Sequence, residues 1–388
     1  MASTSKAQSL DLDRILDERI DWRYKSFPEK PATTIRDVRK RGWNLLDGEF
    51  MFPTMVLKES ALRHNVDEMA ALCKRHEISL APHGKTSMAP QLFQMQLDAG
   101  AWAVTAATMW QVRVWRAFGA RRVILANELV EPASIRWVAG ELQRDPQFDF
   151  YCLVDSVPEV RLLEGTLDGT GLERRFPVLL ELGLAGGRTG CRTRSEAREV
   201  TRAVAASRHL SLAGVEVFEG IIGSPDLGAD LATPWRLSRP VRTVLRSGCY
   251  LTHDAVHYKE VSPFGSRLAD TAPLEEALEA WGAVLSLPEP GLALLGFGKR
   301  DVPHDLELPV PRLIKRQSVG PRPLKAGASI TLLNDQHAYM KIPGGEELAV
   351  GDLVGCGVSH PCTAFDKWRL LPVVDDDYNV LDAVLTYF

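Results

Sequence analysis

The chain has 388 residues, of which 45% are hydrophobic and 25% charged, and its formal net charge at pH 7 is −4. Two domains are expected at this length, and the slightly acidic balance argues against a nucleic-acid-binding protein, which usually presents a basic face. The six cysteines form no CxxC pair, residues 1–27 carry charges throughout, and no apolar run approaches the roughly 18–20 residues of a membrane span, so we expect a cytoplasmic protein with reduced thiols.

Short apolar runs alternate with amphipathic segments over the first half of the chain. The apolar runs predict strands that begin near residues 78, 102, 122, 148, 176, 210 and 241. The segments between them predict helices at 65–75, 89–99, 109–118, 132–142, 158–163 and 194–206. Such alternation is typical of parallel strands with right-handed helical crossovers, and it predicts an α/β fold of the (β/α)8-barrel type.

The predicted barrel is one strand short of eight. The shortfall lies at Gly220–Pro240, which is rich in Gly and Pro. This segment is too short for a helix, a strand and another helix, because one crossover alone needs at least about 10–12 residues. We therefore expect an irregular barrel. Either Leu210–Phe218 pairs directly with Val241–Arg246, or two open edges remain that a partner subunit would cover.

After Tyr250 the pattern changes to short apolar runs rich in β-branched residues, which predicts a C-terminal all-β domain. Its predicted strands are Ala283–Leu287, Leu292–Gly296, Ser329–Leu333, Tyr339–Ile342, Leu348–Val354 and Val380–Leu385. The predicted division is therefore an N-terminal extension at 1–51, a barrel domain at 52–248 and the β domain at 249–388. A strand at 52–57 is expected to join the β domain.

Two short segments carry candidate chemistry. In Ser359–Thr363, His360 and Cys362 are two residues apart, and on an extended backbone both side chains would point the same way and form half of a zinc site. The alternative is a surface histidine beside a buried cysteine. Near the other end, Lys85 follows the first predicted barrel strand, where a desolvated amine could form a Schiff base. The alternative is a solvated lysine at a strand end.

Together, His83-Gly84-Lys85-Thr86 and Ser359-His360-Pro361-Cys362-Thr363 resemble the pyridoxal-phosphate enzymes that include D-serine dehydratase and D-threonine aldolase. The resemblance runs from about Phe52 to the C-terminus and implies an alanine-racemase-like barrel of fold type III. It implies that Lys85 holds pyridoxal 5'-phosphate, with His83 in the same motif, and that His360 and Cys362 bind Zn²⁺ or another divalent metal.

The resemblance extends to three more positions. It places Arg188 against the pyridine nitrogen of the cofactor, where a guanidinium that keeps its proton would leave the ring a weaker electron sink. It places Gly248 and Tyr250 near the cofactor phosphate or the substrate, with Cys249 where the family has serine. The alternatives are an ion pair of Arg188 with Glu181 and a structural Tyr250 bonded to Asp254. The family's phosphate loop on strand seven has no counterpart in Gly220–Pro240, so weak cofactor binding is expected.

The implied activity is a lyase reaction on a β-hydroxy D-amino acid, by a homodimer with a small amino-acid substrate. Elimination to a 2-oxo acid and ammonia, as in D-serine dehydratase, is preferred, because the family's aldolases usually carry His-x-Asp where this chain has Cys362. The alternatives are retro-aldol cleavage, as in D-threonine aldolase, and a member that has lost cofactor binding. A racemase is disfavoured because racemases need no metal pair.

Overall fold

In the computed structural model of this chain, residues 8–218, 241–316 and 319–388 are described. Their contacts divide the chain into two compact units. Unit 1 comprises residues 8–10, 79–85, 100–218 and 241–246. Unit 2 comprises 11–78, 86–99 and the described residues from 247 to 388. The chain therefore passes between the units several times, and it does so once directly after Lys85.

In chain order, the described strands are β1 (Arg19–Ile20), β2 (Thr33–Thr34), β3 (Thr54–Lys58), β4 (Ser79–Leu80), β5 (Val104–Ala106), β6 (Arg122–Glu128), β7 (Asp149–Val154), β8 (Phe176–Leu182), β9 (Leu210–Val217), β10 (Val244–Leu245), β11 (Leu278–Glu289), β12 (Leu292–Leu295), β13 (Val310–Lys315), β14 (Arg322–Pro323), β15 (Ser329–Leu333), β16 (Ala338–Lys341), β17 (Leu353–Gly357), β18 (Leu370–Val374) and β19 (Val380–Leu385). The described helices are α1 (Asp13–Leu16), α2 (Glu59–Arg75), α3 (Pro90–Asp98), α4 (Met109–Ala117), α5 (Pro132–Arg144), α6 (Val157–Leu167), α7 (Arg194–Ala206), α8 (His257–Val261) and α9 (Cys362–Phe365). Short 3-10 helices lie at Ile35–Arg41 and Cys249–Leu251.

Unit 1 is built on parallel strands in sequential order. Strands β5 to β9 form one parallel sheet, and β10 pairs in parallel with β4. A parallel bridge between His83 and Thr105 continues the order from the end of β4 to β5. Helices α4 to α7 follow β5 to β8 as crossovers. The predicted (β/α)8-type barrel is confirmed, and all seven predicted strands are found within a few residues of their expected positions.

The predicted irregularity at Gly220–Pro240 lies outside the described residues and stays a prediction. Within the described part of unit 1, β9 pairs with β8 and β10 with β4. The unit's core includes a row of fully buried rings: Phe150 packs between Phe148 and Phe176, with ring centroids 6.3 and 5.7 Å apart. Aromatic residues on neighbouring strands bury a large area each, and they fix the sheet that carries the strand ends.

Unit 2 contains the β domain, in which β14-β13-β17-β11-β12-β16-β15 form a mixed sheet with β3, β18 and β19. The early strand β3 pairs antiparallel with β11 and parallel with β18. The sequence analysis missed β13, β14 and β18, because each contains a proline, which lowers the strand signal. In the structure their flanking residues still pair, as in Val373 with Leu57.

Gly355 and Gly357, on either side of Cys356, predict a turn at this cysteine, and that prediction is wrong. Cys356 lies within β17 and is 1% exposed. Its neighbour Gly355 is needed for space, because a Cβ there would lie 2.6 Å from Cζ2 of the buried Trp281. Glycine at this position therefore accommodates an indole ring.

Candidate active site

The end of β4 places Lys85 in unit 1. Gly84 precedes it, and its N–H donates to the carbonyl of Thr105 over 2.8 Å. A Cβ on Gly84 would lie 2.5 Å from Cζ2 of Trp115, which is fully buried. The glycine thus lets the backbone run directly over the indole, while the Lys85 side chain is exposed. This close approach gives the His-Gly-Lys order a physical reason.

His83, two residues before Lys85, is held neutral. Burial lowers the pKa of His83 well below its usual value, and the nearby positive charges of Lys85, Arg246 and Arg188 lower it further. Its Nδ1 is buried and has no hydrogen-bond partner among the described residues. A neutral imidazole with a free buried nitrogen, beside an amine and two guanidinium groups, fits an anionic cofactor better than it fits a cation.

Arg188 lies on the loop that follows β8. Two glycines close this loop: the Gly183 N–H donates to the Cys191 carbonyl over 3.0 Å, and Gly190 has φ +100°. The Arg188 guanidinium stacks on Phe218, 4.4 Å from the ring centroid. Thr189, not Arg188, donates to Glu181, over 3.1 Å. The ion pair between Arg188 and Glu181, which was the alternative interpretation, is not found among the described residues.

Gly248 and Tyr250, predicted beside the cofactor, belong to unit 2. Gly248 precedes the 3-10 helix Cys249–Leu251. Tyr250 is 5% exposed, and its hydroxyl donates to Oε1 of Gln96 over 2.9 Å. The alternative partner Asp254 instead accepts from backbone N–H groups, including that of His360 at 3.1 Å. The predicted roles of Gly248 and Tyr250 toward the cofactor stay predictions.

Three carboxylates at the strand ends of unit 1 were missed by the sequence analysis. Glu128 ends β6, Asp155 follows β7, and Glu181 lies near the end of β8. One carboxylate oxygen of each lies within 4.8 Å of the others, which is the only such group of three metal-type ligands found among the described residues. Burial, and then Glu181, raises the pKa of Glu128 to about 8. Acidic residues at successive strand ends are the sequence signal that could have revealed them.

The segment around His360 does not have the extended backbone expected from the sequence. His360 adopts φ +41°, Pro361 is helical, and Cys362 begins α9. The His-x-Cys pair is therefore brought together by a turn, because the fixed φ of proline favours a helix start and not a strand. A left-handed conformation at a non-glycine residue is strained, and such strain is found mainly at functional sites.

A carboxylate fixes the imidazole of His360. Its Nδ1 lies 2.5 Å from Oδ2 of Asp305, and the Thr363 hydroxyl donates to the other oxygen over 2.7 Å. Hydrogen bonds with Cys362 and Asp305 raise the pKa of His360 to about 9. With Nδ1 bonded to a carboxylate, Nε2 remains for a metal ion, which is the arrangement usual for metal-binding histidines.

Cys362 lies among polar groups of unit 2. Its Sγ is 3.5 Å from Sγ of Cys249 and 3.3 Å from Oγ1 of Thr86. The hydrogen bond from Cys249, and that with His360, lower the pKa of Cys362 to about 4, whereas the pKa of Cys249 is raised. Cys362 therefore carries the thiolate of the pair. A thiolate and a carboxylate-bound imidazole suit a zinc-like divalent ion, so this site fits a metal.

Membrane-spanning helices are not found in the described part of the chain, where no helix is both long and apolar enough to cross a bilayer.

Residues 277–374 match a family model described as a putative serine dehydratase domain. The D-threonine aldolase of an Arthrobacter species is 24% identical over 84% of this chain and 89% of its own length. A 3-hydroxy-D-aspartate aldolase of Paracoccus denitrificans is 25% identical over 46% of each chain. The chain thus spans less than half of that relative but nearly all of the other.

Solved structures give the same fold. The D-threonine aldolase from Filomicrobium marinum has a TM-score of 0.72 at 21% identity, covering 87% of this chain and 95% of its own. D-threo-3-hydroxyaspartate dehydratase, as a cysteine-to-alanine variant in the metal-free form, has a TM-score of 0.69 at 18% identity, covering 87% and 97%. The domain match, the sequence relatives and this fold agree with the motifs around Lys85 and His360, and the chain is similar to the D-threonine aldolases and 3-hydroxyaspartate lyases in sequence and fold, with a putative serine dehydratase domain at 277–374.

Proposed function

We propose that this protein is a lyase that uses pyridoxal 5'-phosphate and a divalent metal ion, preferably zinc, to act on β-hydroxy D-amino acids. The observation that carries the proposal is the His360–Cys362 pair, in which a thiolate adjoins an imidazole that Asp305 holds by Nδ1. A relative with the same fold, a dehydratase with cysteine changed to alanine, was solved in a metal-free form, which agrees with a thiolate as metal ligand.

Lys85, His83 and Arg188 are the residues of unit 1 proposed to hold the cofactor. Lys85 would hold it through Nζ, and the same amine, once free, would take the proton from Cα of the substrate. His83 is neutral, so it can face the ring without adding positive charge. Arg188 is exposed and mounted on Phe218, and its guanidinium can donate hydrogen bonds but cannot release a proton.

His360 and Cys362 are the residues of unit 2 proposed to hold the metal ion. When bound, the cofactor stabilises negative charge at Cα, and the metal acts as a Lewis acid on the β-hydroxyl. Asp305 fixes the tautomer of His360, and Oγ1 of Thr86 and Sγ of Cys249 lie within hydrogen-bond distance of the Cys362 sulfur. The neighbours of Cys362 thus favour the thiolate that a metal needs, whereas His360, whose pKa is raised, has to release a proton when the metal binds.

Elimination is proposed as the main reaction. A substrate loses the Cα proton and the β-hydroxyl, and hydrolysis of the product then gives a 2-oxo acid and ammonia. Cys362 supports elimination, because the family's aldolases usually carry His-x-Asp at this position. The hard oxygen ligand of an aspartate suits magnesium or manganese, whereas the soft sulfur of Cys362 suits zinc. Retro-aldol cleavage is the second candidate, since the relative matched over most of this chain is a D-threonine aldolase. A homodimer in the cytoplasm is proposed from the resemblance alone.

The deciding experiment incubates the purified protein with D-serine, D-threonine and 3-hydroxy-D-aspartate, each with added cofactor and zinc. Ammonia and a 2-oxo acid report elimination, whereas glycine and an aldehyde report retro-aldol cleavage. We expect elimination that a chelator abolishes and that Cys362→Ala reduces by at least tenfold. The lyase proposal is wrong if all three substrates remain unchanged while the cofactor is bound.

A further inference from the structure

We propose that the three carboxylates at the strand ends of unit 1 bind a hard divalent cation such as Ca²⁺, Mg²⁺ or Mn²⁺. The ligands are Glu128, Asp155 and Glu181, all of which belong to unit 1. This site is separate from the His360–Cys362 pair of unit 2. The inference therefore goes beyond the proposed function and needs neither the cofactor nor that metal pair.

The strand order of the parallel sheet brings the three carboxylates together. Glu128 ends β6, and Val154 of β7 pairs with Leu180 of β8, so Asp155 and Glu181 follow at the same level. One carboxylate oxygen of each lies within 4.8 Å of the others. An ion that binds oxygen at about 2.4 Å holds opposite ligands about 4.8 Å apart and adjacent ligands about 3.4 Å apart. A single ion can therefore contact all three.

Buried oxygens without a hydrogen-bond partner point to a ligand at this cluster. Glu181 is 2% exposed, and its Oε1 accepts from the Thr189 hydroxyl, whereas its Oε2 is buried and has no partner among the described residues. Oε1 of Glu128 is likewise buried and without a described partner. Burying a carboxylate oxygen without a donor or a cation costs free energy, which a bound ion between the two side chains would offset.

A fourth carboxylate lies next to the three. Glu159, in the first turn of α6, is 6% exposed, and its Oε2 accepts from the N–H of Asp155 over 3.1 Å. Its Oε1 is buried and has no hydrogen-bond partner among the described residues. Burial, with the negative charges of Asp155 and Glu181, raises the pKa of Glu159 to about 7. So much negative charge in a largely buried place favours binding of a cation.

The described residues offer no basic side chain that neutralises this charge. None of the four carboxylates forms an ion pair with a described arginine, lysine or histidine, and although the charge of Glu181 acts on Arg246, the ion pair of Arg246 is with Glu216. Without a bound ion, a proton on Glu128, whose pKa is raised, reduces the negative charge. The ion and this proton are therefore alternatives at the cluster.

The ion would fasten the loop that carries Arg188. Two residues that directly follow Arg188 already bond to the cluster: the Thr189 hydroxyl donates to Glu181, and the Gly190 N–H donates to Oδ2 of Asp155 over 3.0 Å. An ion shared by both carboxylates would hold these two anchors in place. A donor set made only of oxygen selects hard cations, whereas the thiolate and imidazole of unit 2 suit zinc, so the two sites prefer different metals.

Manganese provides the test, because the EPR signal of free aqueous Mn²⁺ disappears on binding and bound ions can be counted. Chelator-treated protein is reloaded with zinc, so that the softer pair is filled, and titrated with Mn²⁺ at about pH 8.5, where a proton on Glu128 competes least. We expect one bound Mn²⁺ per chain in wild type, and affinity at least about tenfold weaker in Glu181→Gln and Glu128→Gln. Glu173→Gln, at an exposed position, and Cys362→Ser should both keep the wild-type affinity.

The outcomes separate this inference from the proposed function. Equal Mn²⁺ affinity in wild type and both carboxylate variants would overturn the site, and so would the absence of Mn²⁺ binding by wild type. Loss of Mn²⁺ only in Cys362→Ser would place the ion at the His360–Cys362 pair and reject the cluster. Circular dichroism checks folding, and if Glu181→Gln does not fold, the partly exposed Glu128 decides the question. None of these results bears on zinc-dependent turnover, which tests the lyase proposal.

Discussion

Replacing Glu128 by Gln should remove part of the pH dependence of stability. Glu128 lies against Glu181, and burial and this neighbour raise its pKa from 4.5 to about 8. The folded protein therefore binds a proton at Glu128 between about pH 4.5 and 8 that the unfolded chain does not bind. This contribution to stability is fully present below the unfolded pKa, and it is lost as the pH rises through the folded pKa.

The size of the effect follows from the shift. Each pH unit in this window changes the free energy of unfolding by up to about 1.4 kcal/mol, so the step from pH 6 to pH 8 costs about 2 kcal/mol at most. Because Glu128 is only partly buried, we expect its titration to lower the free energy of unfolding by about 1–2 kcal/mol between pH 6 and pH 8. Glutamine cannot ionise, so the Glu128→Gln protein should lose that much less stability than wild type between these two pH values.

Urea unfolding at pH 6 and pH 8 measures the difference, and comparison with wild type cancels the titration of other groups. The matched control is Glu173→Gln, at an exposed position, which should follow wild type. Equal pH dependence of wild type and Glu128→Gln would refute the carboxylate contact. Greater destabilisation of the variant at pH 8 than at pH 6 would show that Glu128 is charged and bound by a cation.

Four further outcomes are expected. Gly84→Ala should destabilise the protein by about 1–3 kcal/mol in urea unfolding, because its Cβ meets the indole of Trp115, and Trp115→Phe in the same chain should recover part of the loss. Asp305→Asn should weaken zinc affinity about 10–100-fold with little change in cofactor binding, since the carboxylate only orients His360; equal zinc affinity would contradict this role. Borohydride should fix the cofactor to the wild-type protein but not to Lys85→Ala. Equilibrium dialysis of wild type should show weak pyridoxal phosphate binding, because the sequence has no counterpart of the family's phosphate loop; tight binding would contradict this expectation.

Local sequence patterns account for most of the barrel. Short apolar runs such as Phe176–Leu182, each followed by a helix, predict parallel strands. The reason is that a strand in a parallel sheet is buried on both faces and is therefore apolar along its whole length. The motif at His83–Thr86 was identified through its resemblance to a known family, and the structure adds the reason for its glycine, which is the close approach of the backbone to Trp115. Strands β13 and β18 were not predicted because each contains a proline. The residues on either side of the proline still pair with neighbouring strands, and that pairing cannot be recognised from the sequence of one segment.

The sequence alone determined the alternation of strands and helices, the strand end that bears Lys85, and the pairing of a histidine with a cysteine two residues later, since each depends on residues close together in the chain. Only the tertiary structure decided that a turn forms the His360–Cys362 pair, that Asp305 holds the imidazole, and that Cys249 reaches Cys362 from more than a hundred residues away. It also brought Glu128 against Glu181. Contacts between distant residues depend on how the strands and loops pack, and no local periodicity records them.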